Sequence, residues 1–365
     1  MLLIYFVIKI MLIKLNHIII FALIAFFLGI FLYPIYIKFL KKIKAGKTIR
    51  EDSVTGERST IFSKLHKHKA GTPTMWWWLL LIITLIMIGI SLMVQKIWWI
   101  NNSLLNRQET YVLLLWFFWM WLIGLLDDIL NVRWCGTKKW LSARAKLMLM
   151  FIFAGFISWW FYVKLWVDYI NLWPFAWEIH FGIFYPMITF FITISIVNAI
   201  NIVDGLDWLA WGLMWLILFV LSAVTLVNQT YIATTLVVIV MAILASFMFF
   251  NIFPAKIFMW DSWAFAMWGL LASLLYLLNM RMWIMVPFVV IFALFIIDIW
   301  SSTLQIFWKK KFKKKLFIVS PLHHLFENRW HHETTIVMKA WMLQALLAAI
   351  AIVMVFYQMS WSLID

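Results

Sequence analysis

The sequence has one cysteine, Cys135, in 365 residues. A disulfide framework within the chain and any Cys-x-x-Cys metal site are thereby excluded. Charge is scarce: Asp, Glu, Lys and Arg make up 12% of residues, against about a quarter in a soluble globular chain. Acids are the rarer sign, 15 against 30 Lys and Arg, which leaves a formal net charge of +15. Glycine is depleted as well. Its 12 residues are roughly 3% of the chain where about 7% is ordinary. Repeats of fixed period and low-complexity linkers are missing, so residues 1–365 read as a single domain.

Apolar residues fill the space, at 66% of the chain and a mean hydropathy of +0.98. A signal peptide does not explain this, because apolar runs recur to the C-terminus. The run from Ile18 to Phe39 is itself long enough to span, and no small-residue cleavage site follows it. A bilayer-crossing helix needs about 20 mostly apolar residues. About ten segments qualify: 17–40, 75–95, 110–130, 145–165, 182–200, 208–228, 231–250, 262–280, 283–308 and 336–358.

The charge lies in the breaks. Nine Lys and Arg fall in 41–70, five more (Arg133, Lys138, Lys139, Arg144, Lys146) in 129–146, and KKKFKKK lies in 309–335. The alternate connections, near 96–109, 166–181 and 228–231, carry few positives. The positive-inside rule places the three basic loops in the cytoplasm and both termini outside, consistent with an even number of spans. Orientation accounts for the positive excess, so no nucleic-acid partner is invoked. The expected fold is all-α, a polytopic membrane protein with about ten transmembrane helices.

Several of the few acids gather at span ends. Asp127 and Asp128 end the third span, Asn201, Asp204 and Asp207 join the fifth to the sixth, and Asp261 opens the eighth. His323 and His324 lie in the last basic loop. Singly, each has a bland reading as a helix cap or a solvated surface residue. Together they fall on one face, and ionisable groups near hydrocarbon are costly and usually functional. Adjacent carboxylates repel unless a cation sits between them. Mg²⁺ takes oxygen ligands, commonly one or two carboxylates plus substrate phosphates. The cluster therefore points to Mg²⁺-assisted chemistry on a phosphate. Steps of three along a helix place Asn201, Asp204 and Asp207 on one face, with Gly205 permitting a break.

From about Thr48 to Trp341 the chain resembles the phospho-N-acetylmuramoyl-pentapeptide transferases (MraY-type) of the polyprenyl-phosphate N-acetylhexosamine-1-phosphate transferase superfamily. The resemblance is carried by IRED at 49–52, KAGTPTM at 69–75, LLDD at 125–128 and LSAR at 141–144. It continues in NAINIVDGLD at 198–207, NIFPAKIFMWDSW at 251–263 and SPLHHLFE at 320–327. It implies transfer of phospho-MurNAc-pentapeptide from UDP-MurNAc-pentapeptide to undecaprenyl phosphate, giving lipid I and UMP with Mg²⁺. It implies a multi-pass protein of the bacterial inner membrane with its site on the cytoplasmic face, and dimers are common in the family. By resemblance, Asp261 is the principal Mg²⁺ ligand, and Asp127 and Asp128 act near the lipid phosphate, one as its base. Asn201, Asp204 and Asp207 line the nucleotide-sugar site, joined by Lys69, Thr74 and Asn251, and Phe258 stacks on uracil. His323 serves catalysis or phosphate binding, with His324 beside it.

There are departures. The family's third consecutive histidine is Leu325, and the segment that usually reads GWPEP is Trp330-His331-His332-Glu333-Thr334. The chain also has 27 tryptophans. Trp76, Trp77, Trp140, Trp208, Trp211, Trp260, Trp263, Trp268 and Trp330 fall where the family typically has glycine, whereas Trp341 falls on a family tryptophan. Large side chains at close-packed glycine positions overpack by about 1–3 kcal/mol each. The expectation is that many are glycines encoded by UGA, a codon some bacteria read as glycine; UGG at 208, 260 and 263 would refute it. Two rival functions are a transferase for UDP-GlcNAc or a related sugar, and a transporter with acids at helix breaks.

Overall fold

In lipid no water is present to satisfy a free N–H or carbonyl, so a long apolar run adopts the conformation that bonds its own main chain. The computed structural model describes residues 2–43, 77–98, 103–106, 108–133, 143–252, 255–257, 261–329 and 332–361. The helices are α1 (Leu2–Lys42), α2 (Trp77–Trp98), α3 (Gln108–Arg133), α4 (Ala143–Leu165), α5 (Tyr185–Val203), α6 (Leu209–Val227) and α7 (Tyr231–Asn251). They continue with α8 (Asp261–Asn279), α9 (Met285–Ile291), α10 (Ala293–Phe312), α11 (Leu322–Asn328) and α12 (Glu333–Trp361). The chain is an all-α polytopic membrane protein. Seven described helices are long and apolar enough to cross a bilayer, eight if the bent pair α9–α10 is one span. In α3 and α8, also expected to span, the qualifying apolar stretches are shorter, Thr110–Leu122 and Phe265–Asn279.

The bundle is inside-out by the standards of a soluble protein. Phe31 on α1 is 70% exposed and Met342 on α12 is 74% exposed, which suits hydrocarbon rather than water. The helices α6 and α7 are the most enclosed and form the centre. Around them α3 packs along α8, α1 along α7, α4 along α5 and α12 along α6. Within the bundle the Tyr276 hydroxyl donates to the carbonyl of Thr189 at 2.7 Å and lies 2.7 Å from Thr193 Oγ1, tying α8 to α5.

Two features depart from the expected layout. The span expected at 283–308 is bent by 69° between Ile291 and Ala293. Such a break strands a carbonyl, and Gln344 Nε2 of α12 donates to that of Ile291 at 2.7 Å. The connection expected at 166–181 forms an antiparallel hairpin, β1 (Tyr169–Leu172) with β2 (Ala176–His180). It is fastened to the end of α8: Asn171 N donates to Asn279 Oδ1 at 3.0 Å and Asn171 Nδ2 to the Asn279 carbonyl at 2.8 Å. Asn279 Nδ2 completes the clasp on the Tyr169 carbonyl at 3.1 Å.

Candidate functional site

Helix α5 stops at Val203, and α6 begins after five intervening residues. Asp204 leaves the helical region at φ −76°, ψ 56°, and Gly205 N closes a tight turn on the Val203 carbonyl at 2.8 Å. The single helical face expected for Asn201, Asp204 and Asp207 therefore ends with α5. Asn201 lies in its last turn, while Asp204 and Asp207 stand in the turn beyond it. Asp207 N donates to Glu333 Oε1 of α12 at 2.5 Å.

The histidines reach this turn from the other side. Gln305 of α10 accepts from Leu316 N at 3.0 Å and from Phe317 N at 2.8 Å, and donates to the Phe317 carbonyl at 3.0 Å. These bonds turn the basic segment back, so that α11 starts after Pro321 beside α10. His323 is buried, and its Nδ1 lies 2.6 Å from Asp298 Oδ2. His324 Nδ1 lies 2.9 Å from Glu327 Oε2, one turn along α11. The ring centroids are 4.3 Å apart. Both rings direct Nε2 at Gly205: a Cβ there would stand 2.4 Å from His323 Nε2 and 2.9 Å from His324 Nε2. Glycine is required by this approach, since real Cβ contacts essentially never fall below 3.0 Å.

A third element closes the turn. Trp341 of α12 stacks on Trp208 and donates its indole N–H to the Trp208 carbonyl at 3.2 Å. Beside the Asp298–His323 pair lies a largely apolar cavity of about 300 Å³, bounded by Val203, Leu209, Leu294, Phe326 and Leu343, with Lys339 in its wall. A space that is apolar along most of its length, with a cation and an imidazole in its lining, suits a ligand that is hydrocarbon at one end and anionic at the other.

The structure thus brings together Asp204, Asp207, His323 and His324, four of the sequence-derived site residues. Asn251 is buried at the end of α7 and donates to the Ile257 carbonyl at 2.8 Å; no contact among the described residues joins it to the histidines. Asp127 and Asp128 lie toward the end of α3 and Asp261 opens α8, but their side chains are outside the described residues, as are Lys69, Thr74 and Phe258. Among the described residues no three His, Cys, Asp or Glu groups converge to hold a metal. Leu325, which stands where the family has a third histidine, is buried. Sequence reasoning missed Asp298, Glu327 and Glu333. The signal for Asp298 was available: it is a lone acid in the apolar run Phe295-Ile296-Ile297-Asp298-Ile299-Trp300, and intramembrane acids are functional candidates by default.

A family model described as Glycosyl transferase family 4 matches residues 110–280. The chain is similar to proteins named phospho-N-acetylmuramoyl-pentapeptide-transferase. It is 32% identical over 351 residues to that of Thermoanaerobacter sp. (strain X514), covering 95% of this chain and 100% of the relative. It is 30% identical over 330 residues to that of Geobacillus thermodenitrificans, covering 90% and 95%. It is 28% identical over 317 residues to that of Clostridium acetobutylicum, covering 87% and 92%.

Proposed function

Because this chain belongs to the phospho-N-acetylmuramoyl-pentapeptide-transferase family, we propose that it transfers phospho-MurNAc-pentapeptide from UDP-MurNAc-pentapeptide to undecaprenyl phosphate. An oxygen of the lipid phosphate attacks the phosphorus that carries the sugar. A new P–O bond forms, the bond to the UMP phosphate breaks, and UMP leaves. The observation that carries the reading is the meeting of the Asp204–Asp207 turn with His323 and His324, two family motifs more than 100 residues apart in sequence.

The two substrates are both anionic at the reacting ends, so cationic screening is needed where they meet. Asp261 would be the principal residue to hold Mg²⁺, with Asp127 and Asp128 beside it near the lipid phosphate; carboxylate oxygens are the donors that ion takes. The ion, when bound, neutralises charge on the phosphates. Helix geometry supports the grouping. The helices α3 and α8 cross closely, a Cβ at Gly269 standing 2.6 Å from the Trp116 carbonyl. Asp127 is 11 residues beyond Trp116 and Asp261 is 8 residues before Gly269. At 1.5 Å per residue these are about 16 Å and about 12 Å along their axes. Alternation of the third and eighth of ten spans directs both displacements toward the cytoplasmic face.

In this reading one of Asp127 and Asp128 takes the proton of the lipid phosphate. Asn201, Asp204, Asp207, Asn251, Lys69 and Thr74 bind the nucleotide sugar, Phe258 stacks on uracil, and the apolar cavity with Lys339 receives the prenyl end. The protein sits in the inner membrane with both termini outside and the site at the cytoplasmic face.

The test is UMP release and lipid-linked product from the purified protein in lipid nanodiscs with undecaprenyl phosphate and Mg²⁺. Turnover with UDP-MurNAc-pentapeptide, lost with EDTA and restored by Mg²⁺, is expected. Preference for UDP-GlcNAc would replace this reading with the related-sugar transferase. Ion or solute flux without UMP release would replace it with a transporter.

A further inference from the structure

Asp298 has no part in the reaction as laid out above, yet it holds His323 more tightly than any other described group. Both side chains are buried, His323 at 5% and Asp298 at 10% exposure. Oδ2 lies 2.6 Å from Nδ1, and the main-chain N–H of His323 points to Oδ1 at 3.4 Å. The short contact has the character of a charge-assisted bond. An ionised carboxylate only accepts, so the proton resides on Nδ1 and the neutral ring carries its lone pair on Nε2. Nε2 is buried and has no hydrogen-bond partner among the described residues. It is aimed at the one place in the turn where no side chain intervenes, Gly205. A buried acceptor in that state calls for a partner.

We propose that Asp298 is a positioning residue of the transfer reaction. It fixes the tautomer of His323 and directs Nε2 into the Asp204–Gly205–Asp207 turn, where a hydroxyl or amide N–H of a bound nucleotide sugar donates to it. The assignment rests on the transferase reading above. A carboxylate buried in an apolar helix is costly, and its two bonds to His323 are what offset that cost here.

Asp298→Asn tests it. The His323 main-chain N–H favours the amide oxygen at the Oδ1 position, which leaves the amide N–H₂ facing Nδ1 and moves the ring proton to Nε2. The expected result is a fall in kcat for UMP release of about 10²-fold, the usual cost of a misplaced positioning contact. KM for both substrates changes little, and Asp298→Glu recovers part of the rate. In a His323→Gln background Asp298→Asn has no further effect, because Asp298 acts through His323. An active wild type whose Asp298→Asn variant keeps full kcat, or losses that add in the double variant, overturns the assignment alone. A wild type that releases no UMP from any UDP-sugar overturns the transferase reading and the assignment with it. If Asp298→Asn does not fold, Asp298→Glu and His323→Gln with their double variant supply the same cycle.

Independently, two tryptophans hold main-chain conformations that belong to glycine. Trp208 has φ +75° and Trp166 has φ +57°. A Cβ there crowds the adjoining carbonyl oxygen, which glycine avoids. Trp166 follows the last residue of α4, and Val167 N donates to the Phe161 carbonyl at 3.2 Å. The residue that turns left-handed just past a helix end is usually glycine. The Trp166 indole is 85% exposed, so packing does not impose the conformation. At 208, Trp341 bonds the carbonyl, which any residue would supply, and stacks on the ring, while the Trp208 Nε1 is buried with no acceptor among the described residues. Buried indole N–H groups normally find acceptors.

From these conformations we infer that residues 166 and 208 are glycine in the protein as its cell makes it, their codons being UGA. Position 166 is new to the set expected from the motifs. Trp341, which donates a bond and packs on α6, remains tryptophan with a UGG codon. Codon sequencing with peptide mass spectrometry of protein from the source cells tests this. UGA codons and glycine-containing peptides at 166 and 208 are expected. UGG codons there, or tryptophan in those peptides whatever the codon, overturn it.

Discussion

Trp341 lies flat against Trp208, their centroids 5.3 Å apart and their planes 7° from parallel, with the Trp341 indole N–H on the Trp208 carbonyl. The same indole covers the first turn of α6, where a Cβ at Gly212 would stand 1.8 Å from its Cε2. Gly212→Ala must therefore displace α12 or the start of α6. We expect a loss of about 1–3 kcal/mol from overpacking, seen as a lower thermal midpoint in detergent. In a Trp341→Ala background the same Gly212→Ala change should cost little, because the indole it meets is gone.

Gly205→Ala drives a methyl group into both imidazole edges. The turn and α11 would separate, and the histidines would lose their aim at the turn. UMP release should fall about 10²-fold, with thermal stability lowered far less. A variant of wild-type rate would show that this contact is dispensable.

Glu333 accepts the main-chain N–H of Asp207 from 126 residues away. Hydrogen bonds to charged groups are worth about 1.5–3 kcal/mol. If the bond holds Asp207 in place for the nucleotide sugar, Glu333→Ala should raise KM for that substrate about tenfold or more, leaving KM for the lipid acceptor unchanged. Steady-state kinetics with each substrate varied in turn separates the two.

The Asn171–Asn279 clasp gives a prediction away from the chemistry. Asn279→Ala leaves buried main-chain groups of β1 without partners, at about 1–3 kcal/mol. The hairpin should be cut faster by protease between β1 and β2, while UMP release is retained.

Asp261→Asn should abolish UMP release at every Mg²⁺ concentration while the protein stays folded in detergent. Restored turnover at high Mg²⁺ would point to Asp127 and Asp128 as the main ion ligands instead.

The membrane character and the positions of most spans were legible from residue order alone. A helix in lipid satisfies its own main chain, so a sufficient apolar run decides the conformation without reference to neighbours. The motif residues Asp204, Asp207, His323 and His324 were legible too, because their types and order carry the family's pattern.

Tertiary structure decided the rest. The spacing of three that suggested one helical face for Asn201, Asp204 and Asp207 failed once α5 ended at Val203. The 69° break before Ala293 depends on Gln344 of another helix supplying the missing donor. Asp298 found His323, and Glu333 found Asp207, through helix packing that no local pattern encodes. Hydrophobicity is summed along one dimension and can be read from the chain. The choice of partner for a buried charge is made in three dimensions, where the nearest atoms are set by how the helices cross.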